Sequence, residues 1–221
     1  MFLGHFGLGF AGKKVAPALS LGALFLAVGW ADLLFFPLAL LGIEHFRIVP
    51  GATAVTPFDF YDYPISHGLA GLAIWGLVLG SGYFFFRKQR LAAVVFGFGI
   101  VSHWFLDALV HRPDMPILSG PPYFGLGLWN SFPLTIAAEA AVFGLGLAVY
   151  LRTTRALDRT GSWALWALVG FLVMLWAASV AGPPPPSERV VEWSGIAMWL
   201  FVPWGFWIDR HRAIVGVLQE A

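Results

Sequence analysis

Cysteine is absent from this sequence of 221 residues. Disulfide frameworks, thiolate-bound metals, iron–sulfur clusters and thiol nucleophiles are therefore excluded. Charge is scarce as well: Asp, Glu, Lys and Arg make up 11% of the chain, against about 25% in an ordinary globular domain. The net charge is +1 and no basic stripe is concentrated anywhere, so there is no electrostatic footprint for nucleic acid. Long polar tracts, which mark disorder, are missing too. What fills the chain is apolar: 59% of residues are hydrophobic, 26 are glycine, and the mean hydropathy is +0.78. So little polar surface cannot cover a core in water, and lipid is the solvent the composition calls for.

Six stretches approach the roughly 20 apolar residues that cross a bilayer, namely 15–43, 66–86, 91–110, 132–151, 162–181 and 196–208. The first is long, and Pro17 and Pro37 near its ends predict a break or kink. The last is the shortest. Lys13, Lys14, Arg87, Lys88, Arg90, Arg152, Arg155, Arg159, Arg210 and Arg212 fall in alternate connections, and the others hold only Arg47, Arg112 and Arg189. By the positive-inside rule the chain is an all-α polytopic membrane protein with about six transmembrane helices and both termini cytoplasmic. Loops 44–65 and 111–131 and the Pro183–Pro186 run, a stiff spacer, then face outward. The N-terminus has neither the basic start nor the small-residue cleavage site of a signal peptide. Trp129, Trp193 and Trp207, near helix ends, fit interfacial belts. Gly7, Gly9 and Gly12 spell a dinucleotide-binding pattern, but no strand precedes it, and helix packing in lipid accounts for the glycines better.

Ionisable side chains inside hydrocarbon cost at least about 2.5 kcal/mol each on insertion scales. This chain nevertheless places Asp32 in the first segment, His67 at the start of the second, His103 and Asp107 in the third with His111 closing it, and Glu139 in the fourth. His103, Asp107 and His111 repeat at i, i+4 and i+8, one stripe on a helix. All these groups count to the outer half of their segments, and no Lys or Arg lies within the spans to neutralise the carboxylates. Imidazoles and carboxylates converging without a cation are what a divalent metal binds, zinc first and manganese or iron after it. Such an ion makes hydrolysis the natural chemistry, with Glu139 as a general base. Two other readings use the same residues: hydrogen bonds between packed helices, and a proton pathway. Asp59 and Asp62, in the loop before His67, read as solvated turn residues, Asp62 being the nearer to the pocket rim.

Ser66-His67, the run Ser102-His103-Trp104-Phe105-Leu106-Asp107, and His111-Arg112-Pro113-Asp114 beyond it give the chain a family resemblance. It resembles the membrane-bound metal-dependent hydrolases, described as LexA-binding, inner-membrane-associated and distantly similar to zinc-dependent phospholipase C. His5 resembles the early His of that family and Ala31-Asp32-Leu33-Leu34 its acidic motif, although Leu34 stands where a second Asp is usual. The resemblance spans residues 5–114. It implies a metal site of His5, Asp32, His67, His103 and Asp107, with His111 and Asp114 nearby, acting on a phosphoester or lipid head group. His5 precedes Lys13 by eight positions and reaches the site only if the chain ahead of Lys13 re-enters the membrane.

The sequence thus reads as a hydrolase-like membrane domain over 1–151 carrying the metal site, followed by two further transmembrane helices over 152–221. In this reading Glu139 or Asp62 moves protons and Arg112 attracts a phosphate at the mouth. The expected setting is a bacterial inner membrane, the expected partners membrane lipid and either further copies of the same chain or a larger membrane complex. The alternative function is non-enzymatic, a proton-coupled transporter or a structural subunit; the apolar inner halves of the second and third segments argue against the transporter.

Overall fold

A computed structural model describes residues 1–215 of the chain. The structure is mostly helical, and four helices among the described residues are long and apolar enough to cross a membrane: α5 (Leu69–Arg87), α6 (Arg90–Val110), α7 (Phe132–Thr153) and α8 (Arg159–Ala181). These match four of the expected segments to within a few residues. Their ends follow from local chemistry. The Asp158 side chain accepts the Gly161 N–H at 2.9 Å to start α8, and Lys88, in the left-handed region at φ 56°, stops α5.

The segment expected over 15–43 is not one straight helix. Helix α1 (Phe2–Val15) ends where that segment was to begin, and the turn containing Pro17 leads into α2 (Leu21–Val28), capped by Ser20. After α2 the chain bends by 56° into α3 (Trp30–Leu40). The bend lies at Gly29 and not at a proline, because a Cβ there would stand 2.9 Å from the Phe25 carbonyl oxygen. Pro37 stays inside α3. Lacking an N–H, it leaves the Leu33 carbonyl without its helical donor, and Trp199 Nε1 donates to that oxygen at 3.0 Å instead. Trp199 belongs to the run expected as the sixth segment, which is longer and broken: α9 (Glu188–Ile196), a 3-10 turn (Ala197–Leu200) and α10 (Phe201–Arg210) follow one another without a gap, and none of them alone has the length of a span.

Among the described residues three two-stranded antiparallel sheets complete the fold, none of them expected from the sequence. Strands β1 (His45–Ile48) and β2 (Phe58–Asp62) fold the 44–65 loop into a hairpin, and β3 (Met115–Leu118) and β4 (Gly120–Phe124) fold the 111–131 loop. At the opposite end β5 (Thr154–Ala156) pairs with β6 (Arg212–Ile214). The short helix α4 (Pro64–His67) links β2 to α5.

Helix α1 corrects the expected placement of the N-terminal end. It lies along α7 so closely that a Cβ on Gly7 would stand 2.7 Å from Phe143 Cα. It runs from Asp107 and Glu139, where its first residues sit, to Lys13, whose Nζ meets Asp209 Oδ2 and the Leu19 carbonyl at 2.8 Å each. Its start is thus at the opposite end from the Lys13–Lys14 pair. The expected cytoplasmic C-terminus falls on 216–221, outside the described residues. Two apolar clusters make up the interior. One gathers Leu24, Phe35, Phe46, Leu72, Ile100 and Trp104; the other gathers Phe6, Phe10, Phe25, Phe143, Leu168 and Phe201, joining residues on both sides of position 151.

Trp199→Phe should lower the thermal midpoint in detergent, a cost of about 1 kcal/mol for one lost hydrogen bond. In a Pro37→Ala background, where residue 37 regains its N–H, the same change should cost clearly less. Equal costs in the two backgrounds, measured as a double-mutant cycle, would contradict the link.

Candidate metal centre

His103 sits two-thirds of the way along α6 with no exposed surface. Its Nδ1 donates to the Val28 carbonyl at 2.8 Å. Val28 ends α2, and the last carbonyls of a helix lack intrahelical donors, so the bend at Gly29 supplies the acceptor that sets the tautomer of His103. The lone pair then lies on Nε2, a fully buried atom with no hydrogen-bond partner. It faces carboxylates, Asp107 Oδ2 at 3.2 Å and Asp32 Oδ1 at 3.8 Å.

The other imidazoles are held in the same manner, by one nitrogen with the second turned inward. His67 closes α4 and binds Ser66 Oγ through Nδ1 at 2.8 Å, which turns Nε2 toward Asp32 Oδ1 at 3.6 Å and Asp107 Oδ2 at 3.7 Å. His111, the first residue after α6, donates from Nδ1 to Asp114 Oδ1 at 2.9 Å and sets Nε2 3.8 Å from Asp107 Oδ2. His5 approaches from α1, stacks on His103 at 3.7 Å between ring centres, and donates from Nε2 to Asp107 Oδ1 at 3.0 Å. The Met1 nitrogen contacts the same oxygen. His5 therefore reaches the cluster, as the re-entrant arrangement requires, and steadies Asp107 there.

Two sets of residues can hold a metal ion, His5 with His103 and Asp107, and Asp32 with His67 and His103; in each set the ligand atoms lie within 4.8 Å of one another. Zinc takes nitrogen and oxygen ligands at about 2.0–2.2 Å in a tetrahedron, which puts neighbouring ligand atoms roughly 3.3–3.6 Å apart. In the second set Nε2 of His67 and of His103 stand 3.6 and 3.8 Å from Asp32 Oδ1, close to that spacing. Asp107 Oδ2 lies 3.7 and 3.2 Å from the same two nitrogens but belongs with His5 and His103 in the other set. The donor types fit such an ion, and His103, whose buried Nε2 has no hydrogen-bond partner, is common to both sets.

The remaining expected residues divide. Glu139 lines the cavity beside the cluster, but both its oxygens are taken: Oε1 accepts the Phe2 N–H and Oε2 the Gly4 N–H, each at 2.8 Å. It caps the start of α1, which delivers His5. Asp114 stands behind His111, where it also accepts from the Tyr63 hydroxyl at 3.2 Å and from Arg112 Nε. Burial, with the Asp114 carboxylate beside it, pushes the Tyr63 phenol well above its ordinary value, so it remains a donor. Arg112 does not face the cavity; its guanidinium is held by Asp59 and Asp114. Asp62 is exposed, 3.4 Å from His45, and lies away from the cluster.

Sequence reasoning passes over several supports. Glu44 Oε1 accepts the Ile65 and Ser66 N–H groups at 2.7 and 2.9 Å and anchors α4, so it positions His67. Asp59, read as a turn residue, joins Arg47 to Arg112. Trp129, read as an interface residue, packs on His111 at 4.1 Å between ring centres. No local pattern marks Glu44, since its partners lie 21 and 22 positions away. The chain matches no protein-family model, no curated protein and no solved structure.

Glu139→Ala should free the start of α1, lowering the thermal midpoint and weakening zinc binding as His5 loses its hold on Asp107. Asp62→Ala should leave both unchanged. Zinc titration and thermal denaturation of the two variants check this, and equal behaviour would remove the capping role.

Proposed function

We propose that the chain is an integral membrane hydrolase that depends on a divalent metal, zinc first and manganese or iron as alternatives. It crosses the bacterial inner membrane about six times, counting the bent α2–α3 pair and the α9–α10 run as spans and α1 as re-entrant. The basic ends of the helices, where Lys13, Arg87, Arg152 and Arg212 gather, face the cytoplasm in this reading, and the cluster lies toward the outer face.

The observation that carries the proposal is the buried, partnerless Nε2 of His103 aimed at two carboxylates. Lone pair against anion in a low dielectric is unfavourable unless a proton or a metal cation lies between them, and a metal satisfies both carboxylates at once. Among the described residues no Lys or Arg lines this cavity. His67, His103, Asp32 and Asp107 hold the ion, and His5 orients Asp107. A metal bound there supplies Lewis-acid charge that activates water and polarises a phosphoryl or carbonyl oxygen. His111, oriented by Asp114, offers Nε2 to the cavity as a hydrogen-bonding group for substrate. The reaction is hydrolysis of a phosphoester or ester: a water oxygen bonds to phosphorus or carbonyl carbon, the bond to the leaving oxygen breaks, and a water proton ends on that oxygen.

A proton path through the protein finds less support. Below the cluster α1 continues with Phe6 and Phe10, α6 with Ile100 and Phe96, and α7 with Phe143, all buried, before the next buried polar residues, Lys13 and Thr154.

Protein purified in mild detergent without chelator should carry about one metal ion per chain, and His103→Ala/Asp107→Ala should carry almost none. Elemental analysis reads both. A wild type that stays empty after incubation with zinc, manganese and iron would defeat the proposal.

A further inference from the structure

We infer that the substrate is a membrane lipid that reaches the centre sideways, between the outer ends of α8 and α9, and leaves its acyl chain in that opening. The inference rests on the hydrolase reading above and adds the substrate class and its route.

The cavity at the cluster, about 240 Å³, is not closed. It shares Phe36, Thr56, Leu175, Ser179 and Met198 as walls with a second cavity of about 570 Å³. Together they fall within the size range of small-molecule sites. The two differ in chemistry. Asp32, Asp107 and Glu139 line the first, whereas no charged side chain lines the second, whose walls are mainly apolar residues of α8, α9 and the 49–57 loop. An amphiphile matches this division of charge, with its hydrolysable head at the cluster and its chain along the uncharged Leu175, Val190, Val191 and Met198 of the outer cavity.

The opening lies on the flank of the helices. The buried residues of α8 end at Leu172, and none from Val173 to Ala181 is buried. Helix α9 packs on α3. Between the two runs the non-helical Pro183–Pro186 connection, a stiff stretch that lines the outer cavity with three of its prolines and holds the helix ends apart. Directly above the cluster the approach is covered. Phe58 and Phe60 of β2 wall the inner cavity, and the ion pairs Arg47–Asp59–Arg112–Asp114 tie this hairpin to the residues after α6. Entry is through the outer cavity, whose rim runs from the exposed Gly51 and Ala54 of the loop to the flank of α8, at the level where the head group of an outer-leaflet lipid lies beside its chain.

The test uses the full chain, zinc-loaded, in vesicles of phosphatidylethanolamine and phosphatidylglycerol. These carry traces of a phospholipid bearing a photoreactive diazirine either at the end of an acyl chain or on the head group. The chain-end probe should mark residues 175–180 and 190–198. The head-group probe should mark Trp129 or Thr135, which line the inner cavity alone. Ala178→Trp/Ser194→Trp, both at exposed positions, should abolish these signals while labelling at lipid-facing Leu77 of α5 and the zinc content stay at wild-type levels. Zinc-loaded wild type in which neither probe marks the cavities above the Leu77 level, or a double variant that labels as before, overturns the lipid route and leaves the hydrolase reading standing. Labelled cavities in a protein that binds no metal support the lipid site and overturn the hydrolase reading.

Discussion

The rest of the structure is arranged around a layer poor in positive charge. Three carboxylates, Asp32, Asp107 and Glu139, meet four imidazoles, and among the described residues no lysine or arginine side chain joins them; the Met1 ammonium, in contact with Asp107, is the cation at hand. In a low-dielectric interior each polar atom needs a partner, because an unpaired one costs several times what it costs in water. The neighbouring elements supply those partners one by one: the carbonyl at the end of α2 for His103, the Ser66 hydroxyl for His67, Asp114 for His111, two backbone amides for Glu139. The Nε2 of His103, left without a partner, faces the carboxylates of Asp32 and Asp107. The protein has thus fixed the outward-facing nitrogen of three rings, and the inward-facing atom follows from that choice.

This arrangement also explains why the helices near the centre are irregular. A straight helix over 15–43 would consume the Val28 carbonyl within its own ladder, whereas the bend at Gly29 gives His103 its acceptor and opens the first turn of α3, where Asp32 projects. The bent pair is held from outside by Trp199, which occupies the carbonyl that Pro37 leaves open. In this way the α9–α10 run reaches back to steady the element that carries Asp32.

Much of the framework was legible from periodicity and composition. Helices α5 to α8 are long uninterrupted apolar runs with basic ends, and no packing detail is needed to place them. The i, i+4, i+8 stripe of His103, Asp107 and His111 was equally plain, because one helix sets its geometry. Legibility fails where position depends on contacts far apart in the chain. Helix α1 lacks the length of a span and is placed by its fit against α7, and the 44–65 and 111–131 hairpins carry no clear alternation of apolar and polar residues. Glu139 looked like a free base from its depth alone. Only the arrival of α1, 135 and 137 positions away, shows its oxygens to be occupied. Asp62 and Asp59 are equivalent in sequence, and strand register decides between them, turning Asp59 toward Arg47 and Arg112.

At the far end of α1, Lys13 is buried and meets Asp209 across 196 positions of chain, and the same carboxylate accepts the first amide of α2. A chain is made from its N-terminus, so this pair closes only when residue 209 has been added. Until then Lys13 has the Leu19 carbonyl alone, and α1 is held by its packing against α7. The contact that fixes the lower end of the arm bearing His5 is therefore among the last in the fold to form.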